Sequence, residues 1–369
     1  MNSRERVRTA LRRQPADKTP VDFGGTIVTC LDLKAHENLL RHYGIQCEAG
    51  PIIDYTMGTV EPAEELMVRF GSDVRRIGMN VTPPNIVNGM YTDGFGMVLK
   101  KAEPHEYFDV IEHPLENATV DDIAHMQLPD PDNEALYAGL RERAQRLYET
   151  TEYALIADFG VPGFYETSQK LRGYANLACD LLVDTDFVTA LYDKLLGLQK
   201  RWFKNYLECI GPYVEAIGYA DDLGMQDRPQ MSPQTYRDVL KPYHKQIWSY
   251  IHEIADVKVL LHSCGAIVPL IDDLIDAGVD VLNPVQTRAS GMDTQVLFEQ
   301  FGDKVAFWGG FDEQQVLPFG TNDEIETEVE RLMRTLPRGY VFGPGHNIQA
   351  DTPPESVVAM FQAAAKYRG

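Results

Sequence analysis

Two side chains able to hold a metal, His262 and Cys264, stand two residues apart directly after the apolar run Val257-Lys-Val-Leu-Leu261. In an extended chain the pleat turns residues i and i+2 to one side, so imidazole and thiol share a face. Gly265 then allows a sharp turn into Ala266-Ile-Val-Pro-Leu-Ile271, which reads as a helix start. Both side chains therefore fall at the carboxyl end of a strand, where α/β proteins build their sites. The pair is half of a zinc site, a metal that takes about four ligands and, in a catalytic centre, leaves one place to substrate. His346 is the third candidate ligand, and Asp221 or Asp222 a fourth. The competing reading is a structural thiol beside a hydrogen-bonded histidine.

Gathering residues so distant in sequence requires a scaffold that brings strand ends together. From about residue 151 the chain repeats a short β-rich run, a glycine or acidic turn, and a helical stretch. The expected strands at 153–157, 214–218, 257–261, 279–282, 305–308 and 340–342 alternate with helices at 166–182, 233–254, 267–276, 293–301, 324–335 and 354–366. An open doubly wound sheet and a closed (β/α)8 TIM barrel both have this rhythm. Regular alternation, and no Gly-x-Gly-x-x-Gly after a strand, favour the barrel. Val21-Asp-Phe-Gly-Gly25 and Val74-Arg-Arg-Ile77 supply the two remaining strands. Residues 91–115 read as an inserted β-hairpin, and no linker separates two domains, so 1–369 is expected to be one barrel domain with an N-terminal extension.

The strand tips then form one rim holding Asp158, Tyr219, Asp221, Asp222, His262, Cys264, Asn283, Gln286, Asp312, His346 and Asn347. Asp221, Asp222 and Glu166 are the candidate acids and bases, and a carboxylate mechanism without metal stays open. Acidic residues after a strand often cap the next helix, but Ser232 is the better cap for the helix at 233, which leaves the two aspartates for other work. Tyr165, Arg172, Tyr219, Asn283, Gln286, Trp308 and Asn347 are candidate substrate contacts. Glu166 and Arg172 equally suit an ordinary helix ion pair. Phe159, Phe164, Tyr165, Tyr219, Trp308 and Phe311 form either a pocket for a flat substrate or ordinary core. Gly309-Gly310 reads as a tight turn ahead of a phosphate cradle.

The 34 Lys and Arg face 55 Asp and Glu, a formal charge of −21 that argues against nucleic acid or an anionic membrane as partner. No apolar stretch reaches the roughly 18 residues needed to span a bilayer, and the first residues lack a signal-peptide core, so a cytoplasmic protein is expected. Five scattered cysteines without any Cys-x-x-Cys argue against a disulfide framework.

The runs Ala220-Asp-Asp-Leu-Gly-Met-Gln226, Ser232-Pro-Gln-Thr-Tyr-Arg-Asp-Val-Leu-Lys-Pro242, His262-Ser-Cys-Gly265, Val279-Asp-Val-Leu-Asn-Pro-Val-Gln286 and His346-Asn-Ile-Gln-Ala-Asp-Thr-Pro-Pro354 resemble the uroporphyrinogen decarboxylase superfamily. More narrowly, they resemble its branch of zinc-dependent, corrinoid-linked methyltransferases. The resemblance covers roughly residues 150–366. True uroporphyrinogen decarboxylases carry an arginine-rich segment after the first strand; here Val21 to Cys30 contains no arginine, and the next is Arg41.

The methyltransferase branch uses a His-x-Cys pair plus a later cysteine to hold zinc. His262 and Cys264 match the pair, while His346 stands where the cysteine is expected. An imidazole in place of a thiolate makes the site harder and a stronger Lewis acid, which suits an oxygen leaving group. The resemblance thus implies transfer of a methyl group from a small O-methylated, methoxyaromatic-type donor to Co(I) of a corrinoid. No Asp-x-His-x-x-Gly signature occurs, so the corrinoid (cobalamin) would arrive on a partner protein. The alternatives are a metal-free decarboxylase using rim carboxylates, and a non-catalytic protein in which the cluster only staples strands. A homodimer is the candidate assembly.

Overall fold

The computed structural model describes residues 1–47, 50–102 and 107–369. Seven parallel strands pair in sequence order: β1 (Val74–Ile77), β2 (Ala154–Ala157), β3 (Ala216–Ala220), β4 (Lys258–His262), β5 (Val281–Asn283), β6 (Ala306–Phe311) and β7 (Tyr340–Pro344). Their Val, Ile, Leu and Ala content fits strands buried on both faces. The eighth position is taken by residues 20–23. Asp22 N–H donates to the Phe342 carbonyl at 2.7 Å, Phe342 N–H to Pro20 at 2.9 Å, and Asp73 N–H to Val21 at 2.8 Å. This segment joins β7 to the start of β1 and closes the TIM-type barrel, but with one bridge where a strand was expected. The Asp22 carboxylate accepts from Gly25 N–H, and the chain turns off into a 3-10 helix, Ile27–Thr29.

Alternation sorts the side chains. Val74, Ala154, Ile156, Ala216, Leu260, Val281, Ala306, Trp308 and Val341 fill the barrel, and Val7, Ala10 and Leu11 of helix α1 (Ser3–Leu11) join the same cluster. Arg4 N–H donates to the Glu152 carbonyl just before β2, so α1 closes the amino-terminal end and leaves the opposite rim open. The helix expected at 166–182 breaks at Gly173 into α2 (Phe164–Arg172) and α3 (Tyr174–Val183). A 26-residue helix that sequence periodicity did not single out, α4 (Thr185–Ile210), follows.

The insertion is a three-stranded antiparallel sheet, Met90–Thr92, Val98–Lys101 and Phe108–Glu112, rather than a hairpin; residues 103–106 of it lie outside those described. Gly309 and Gly310 belong to β6 rather than to a turn. Both have left-handed φ, and a Cβ on Gly309 would lie 2.9 Å from the Pro344 carbonyl oxygen, so Gly309 lets β7 approach.

Candidate metal centre

β4 ends at His262, and the chain then passes backbone to backbone against the loop after β3. Gly265 has φ +88°, and a Cβ there would sit 2.5 Å from the Gly224 carbonyl carbon. Cys264 N–H donates to Asp222 Oδ1 at 2.8 Å, and Leu223 N–H to Ser263 Oγ at 2.9 Å. These contacts hold the Cys264 thiol beside the imidazole, with Sγ 3.4 Å from His262 Nε2. His346, from the loop after β7, completes the group: one ligand atom from each of His262, Cys264 and His346 lies within 4.8 Å of the others. A tetrahedral zinc with ordinary bond lengths separates its N and S ligands by about 3.3–3.6 Å, so small side-chain adjustments suffice.

Two amides set the histidine tautomers. Asn283 donates through Nδ2 to the Trp308 carbonyl at 3.2 Å, which turns Oδ1 toward His262 Nδ1 at 2.6 Å. A carbonyl oxygen only accepts, so Nδ1 carries the proton and Nε2 keeps its lone pair. Asn347 does the same for His346: Nδ2 donates to Thr59 Oγ1 at 3.2 Å, Oδ1 accepts from Gln349 at 2.9 Å, and that same oxygen meets His346 Nδ1. Such outer partners orient metal-binding imidazoles. The loop itself is held by the N-terminal region, through Ile348 N–H to Cys30 and Asp32 N–H to Ile348. Burial pushes the Cys264 thiol up, reinforced by Asp222, Glu313 and Glu166. Burial, then His262, pushes His346 down to about 4. A dication reverses this for the thiol, since thiolate is the form that binds. Two imidazoles with exposed lone pairs and a thiol fit zinc.

The acidic residues divide. Asp222 Oδ1 stands 3.9 Å from His262 Nε2. Glu166 forms an ion pair, but with Lys170 at 2.6 Å rather than with Arg172, and it acts electrostatically on both Cys264 and His346. Asp221 is not free: its buried oxygens accept Tyr165 N–H at 3.0 Å and Glu166 N–H at 2.7 Å, capping α2 from the neighbouring strand. His244 Nε2 approaches the same carboxylate at 2.9 Å, with Tyr236 on His244 Nδ1 at 3.1 Å. The Ser232 cap is present as expected, but it answered only for its own helix.

Among the candidate substrate contacts, Gln286 stays near the centre, accepting Gly265 N–H at 2.7 Å. Arg172 does not: it pairs with Asp180 at 2.7 Å and donates to the carbonyls of Leu115, Glu116 and Ala118. Tyr219 points outward, because alternation turns it with Ile217 toward the helices, where it meets Trp248 and Phe203. Trp308 points inward but is fully buried, with Nε1 on Asp22 at 2.7 Å. Tyr165 is buried with its hydroxyl 3.3 Å from Gln230. Phe164 and Phe311 are core, and Phe159, half-buried, lies with its ring 5.8 Å from that of His262. Sequence reasoning missed His244 and Glu313. Glu313 follows the β6 tip by two residues, and burial pushes it up to about 7.

The uroporphyrinogen decarboxylase (URO-D) family model matches residues 92–367. The chain belongs to that family. A uroporphyrinogen decarboxylase of Alkalilimnicola ehrlichii is 25% identical over 97% of this chain and 93% of its own length. One from Legionella pneumophila is 29% identical over 96% and 94%. Among solved structures, a methyltransferase from Methanosarcina mazei superposes with a TM-score of 0.69 over 100% of both chains at 19% identity, a likeness of fold. The family member described here is thus an enzyme of the uroporphyrinogen decarboxylase superfamily, with a candidate His-Cys-His metal site at its barrel rim. Among the described residues, no helix is long and apolar enough to cross a membrane.

Proposed function

We propose that this protein is a zinc-dependent methyltransferase that moves a methyl group from a small O-methylated compound to Co(I) of a separate corrinoid protein. The observation that carries the reading is the pair of amides, Asn283 and Asn347, turning two imidazoles toward one thiol. His262, Cys264 and His346 would hold zinc, which when bound supplies Lewis acidity at the leaving oxygen. The corrinoid, on its own protein, would supply the nucleophile for the methyl carbon, and the C–O electron pair would stay with the leaving oxygen. Asp222 and Glu166 are the carboxyl groups that would stand beside that oxygen, which would take its proton from solvent, while Asp221 positions the helix start that carries Glu166. Gln286 would contact the donor from the rim. The chain's remaining task is to align the methyl carbon and exclude water.

The second reading, decarboxylation with carboxylates alone, draws support from relatives named uroporphyrinogen decarboxylase. Against it stands the barrel interior, where Arg76 is already engaged by Asp158 and by Glu61 at 3.3 Å, leaving a polycarboxylate without a dedicated counter-charge. Metal analysis of gently purified protein, with His262→Ala and Cys264→Ser as controls, and the cobalt spectrum of a Co(I) corrinoid protein mixed with candidate ethers test the choice. Stoichiometric zinc and an ether-dependent spectral change are expected. Absence of both sends the assignment to decarboxylation.

A further inference from the structure

A cavity of about 420 Å³ lies where three separate segments of the chain meet. Val81, Pro83 and Pro84 follow the carboxyl end of β1 by a few residues, Ile53 and Thr56 come from the N-terminal extension, and Tyr91 comes from the first strand of the inserted sheet. Small-ligand sites run from about 300 to 1,000 Å³, and this one stands at the end that a single substituted ring would fill. Proline and tyrosine faces suit a flat ring. Val81 is 44% exposed, apolar surface that an occupant would cover. The two acids in the lining serve the turns that carry them: Asp54 Oδ1 accepts Thr56 N–H at 2.6 Å and Met57 N–H at 2.9 Å, and Asp93 Oδ1 accepts Phe95 N–H and Met97 N–H, both at 2.9 Å.

Two connections tie this cavity to the metal centre. Ile53 belongs to a small apolar cluster with Ile27, Val28 and Cys30, against which Met57 and Phe159 pack, and the Phe159 ring stands 5.8 Å from that of His262. The second connection runs through a hairpin. Strand Ile52–Asp54 pairs antiparallel with Thr59–Val60, Asp54 opposite Thr59, and the Thr59 hydroxyl accepts Asn347 Nδ2 at 3.2 Å, from the amide that orients His346. One strand of the hairpin therefore lines the cavity while the other holds the outer partner of a candidate metal ligand. The inserted sheet fixes the turn between them: Phe108 N–H donates to the Thr56 carbonyl at 2.9 Å, and the Tyr91 hydroxyl lies 3.4 Å from that of Thr56.

Resting on the methyltransferase reading, we propose that this cavity holds the ring of a one-ring methoxyarene donor, with its methoxy group directed past Phe159 to the metal centre. The inserted sheet and the hairpin at 52–60 are then the elements that select the donor's body. Tyr91 and Val81 set the size of ring admitted, separately from the residues that hold the metal.

Isothermal titration of the zinc-loaded protein with 1,2-dimethoxybenzene tests the placement without any corrinoid. Val81→Trp fills the cavity from a position already open to solvent and should weaken binding at least about tenfold, while zinc affinity, read by chelator competition, stays within about twofold. Leu182→Trp, 74% exposed on α3 and outside the cavity lining, should change neither. Tyr91→Ala enlarges the cavity from the inserted sheet and should shift the affinity ratio toward the larger 2-methoxynaphthalene. Undiminished binding to Val81→Trp overturns the inference, as does failure of the natural chain to bind the probe. Should Val81→Trp not fold, the Tyr91→Ala ratio decides alone, and an unchanged ratio overturns it. Methyl transfer to Co(I) is scored separately. Binding that responds to both substitutions without transfer supports the cavity as the arene site and removes the methyltransferase reading; transfer with binding indifferent to both removes the cavity alone.

Discussion

The side-chain oxygen of Asn283 sits 2.6 Å from Nδ1 of His262, and the amide nitrogen of the same residue is committed to the Trp308 carbonyl. Neither group can turn without breaking the other bond, so β5 and β6 together decide which imidazole nitrogen faces Cys264. Asn283→Ala should therefore weaken zinc binding by about 10–100-fold while leaving the ligands in place. Competition with a chromogenic chelator, alongside circular dichroism to check folding, measures it; unchanged affinity would mean that the amide plays no part in orienting the ring.

Zinc affinity should depend on pH through one proton. The Cys264 thiol is pushed up by burial and nearby carboxylates, so it is protonated before metal binding and must release its proton. His346, pushed down to about 4, has none to lose near neutrality. Between about pH 7 and 8.5 the apparent affinity should rise close to tenfold per pH unit. A slope near two would place a second proton on the ligand set.

Replacing His346 by cysteine tests the hard-site argument. His346→Cys should retain zinc against chelators at least as well as the natural chain, because a second thiolate adds charge to the site. Turnover of an O-methyl donor should nevertheless fall by about tenfold or more, since the metal becomes a weaker Lewis acid. Kinetics and chelator competition on the same preparation decide it; faster turnover of the ether would reverse the assignment of donor class.

His244→Ala separates support from chemistry. Removing the imidazole leaves the buried Asp221 carboxylate with only its backbone partners, and losing a hydrogen bond to a buried carboxylate costs about 1.5–3 kcal/mol. Urea denaturation should show that loss, while zinc affinity stays near its original value because the ligands come from β4 and the loop after β7. Loss of zinc without loss of stability would place His244 in the metal centre instead.

Legibility followed the range of the interaction. The His-x-Cys at the end of an apolar run could be read directly as a pair, although the strand ends at His262, and Cys264 is brought beside it by the loop's contacts with Asp222 and Gly224 rather than by the pleat. So could the strand–helix rhythm, although β3 starts at Ala216 rather than 214 and a 26-residue helix went unseen behind the break at Gly173. Asp221 was misjudged for a different reason: local reasoning asked whether it caps the helix that follows it, whereas it caps one that precedes it by more than fifty residues. Tyr219 was misjudged by one step of the strand alternation, enough to turn a side chain from the rim to the helix layer. Arg172 failed because its partners, the carbonyls near 115–118, arrive from a segment whose path sequence does not reveal.

Sequence alone determined the donor types and their attachment to strand ends, since both depend on residue identity and on backbone periodicity within a few positions. Tertiary structure decided which of those donors meet. It set the lone pairs of His262 and His346 through the amides of Asn283 and Asn347, consumed Asp221 in a helix cap, and paired Arg76 and Lys170 with carboxylates. Hydrogen bonds and ion pairs form between groups close in space, and closing the barrel brings together residues more than 200 positions apart, such as Thr59 and Asn347.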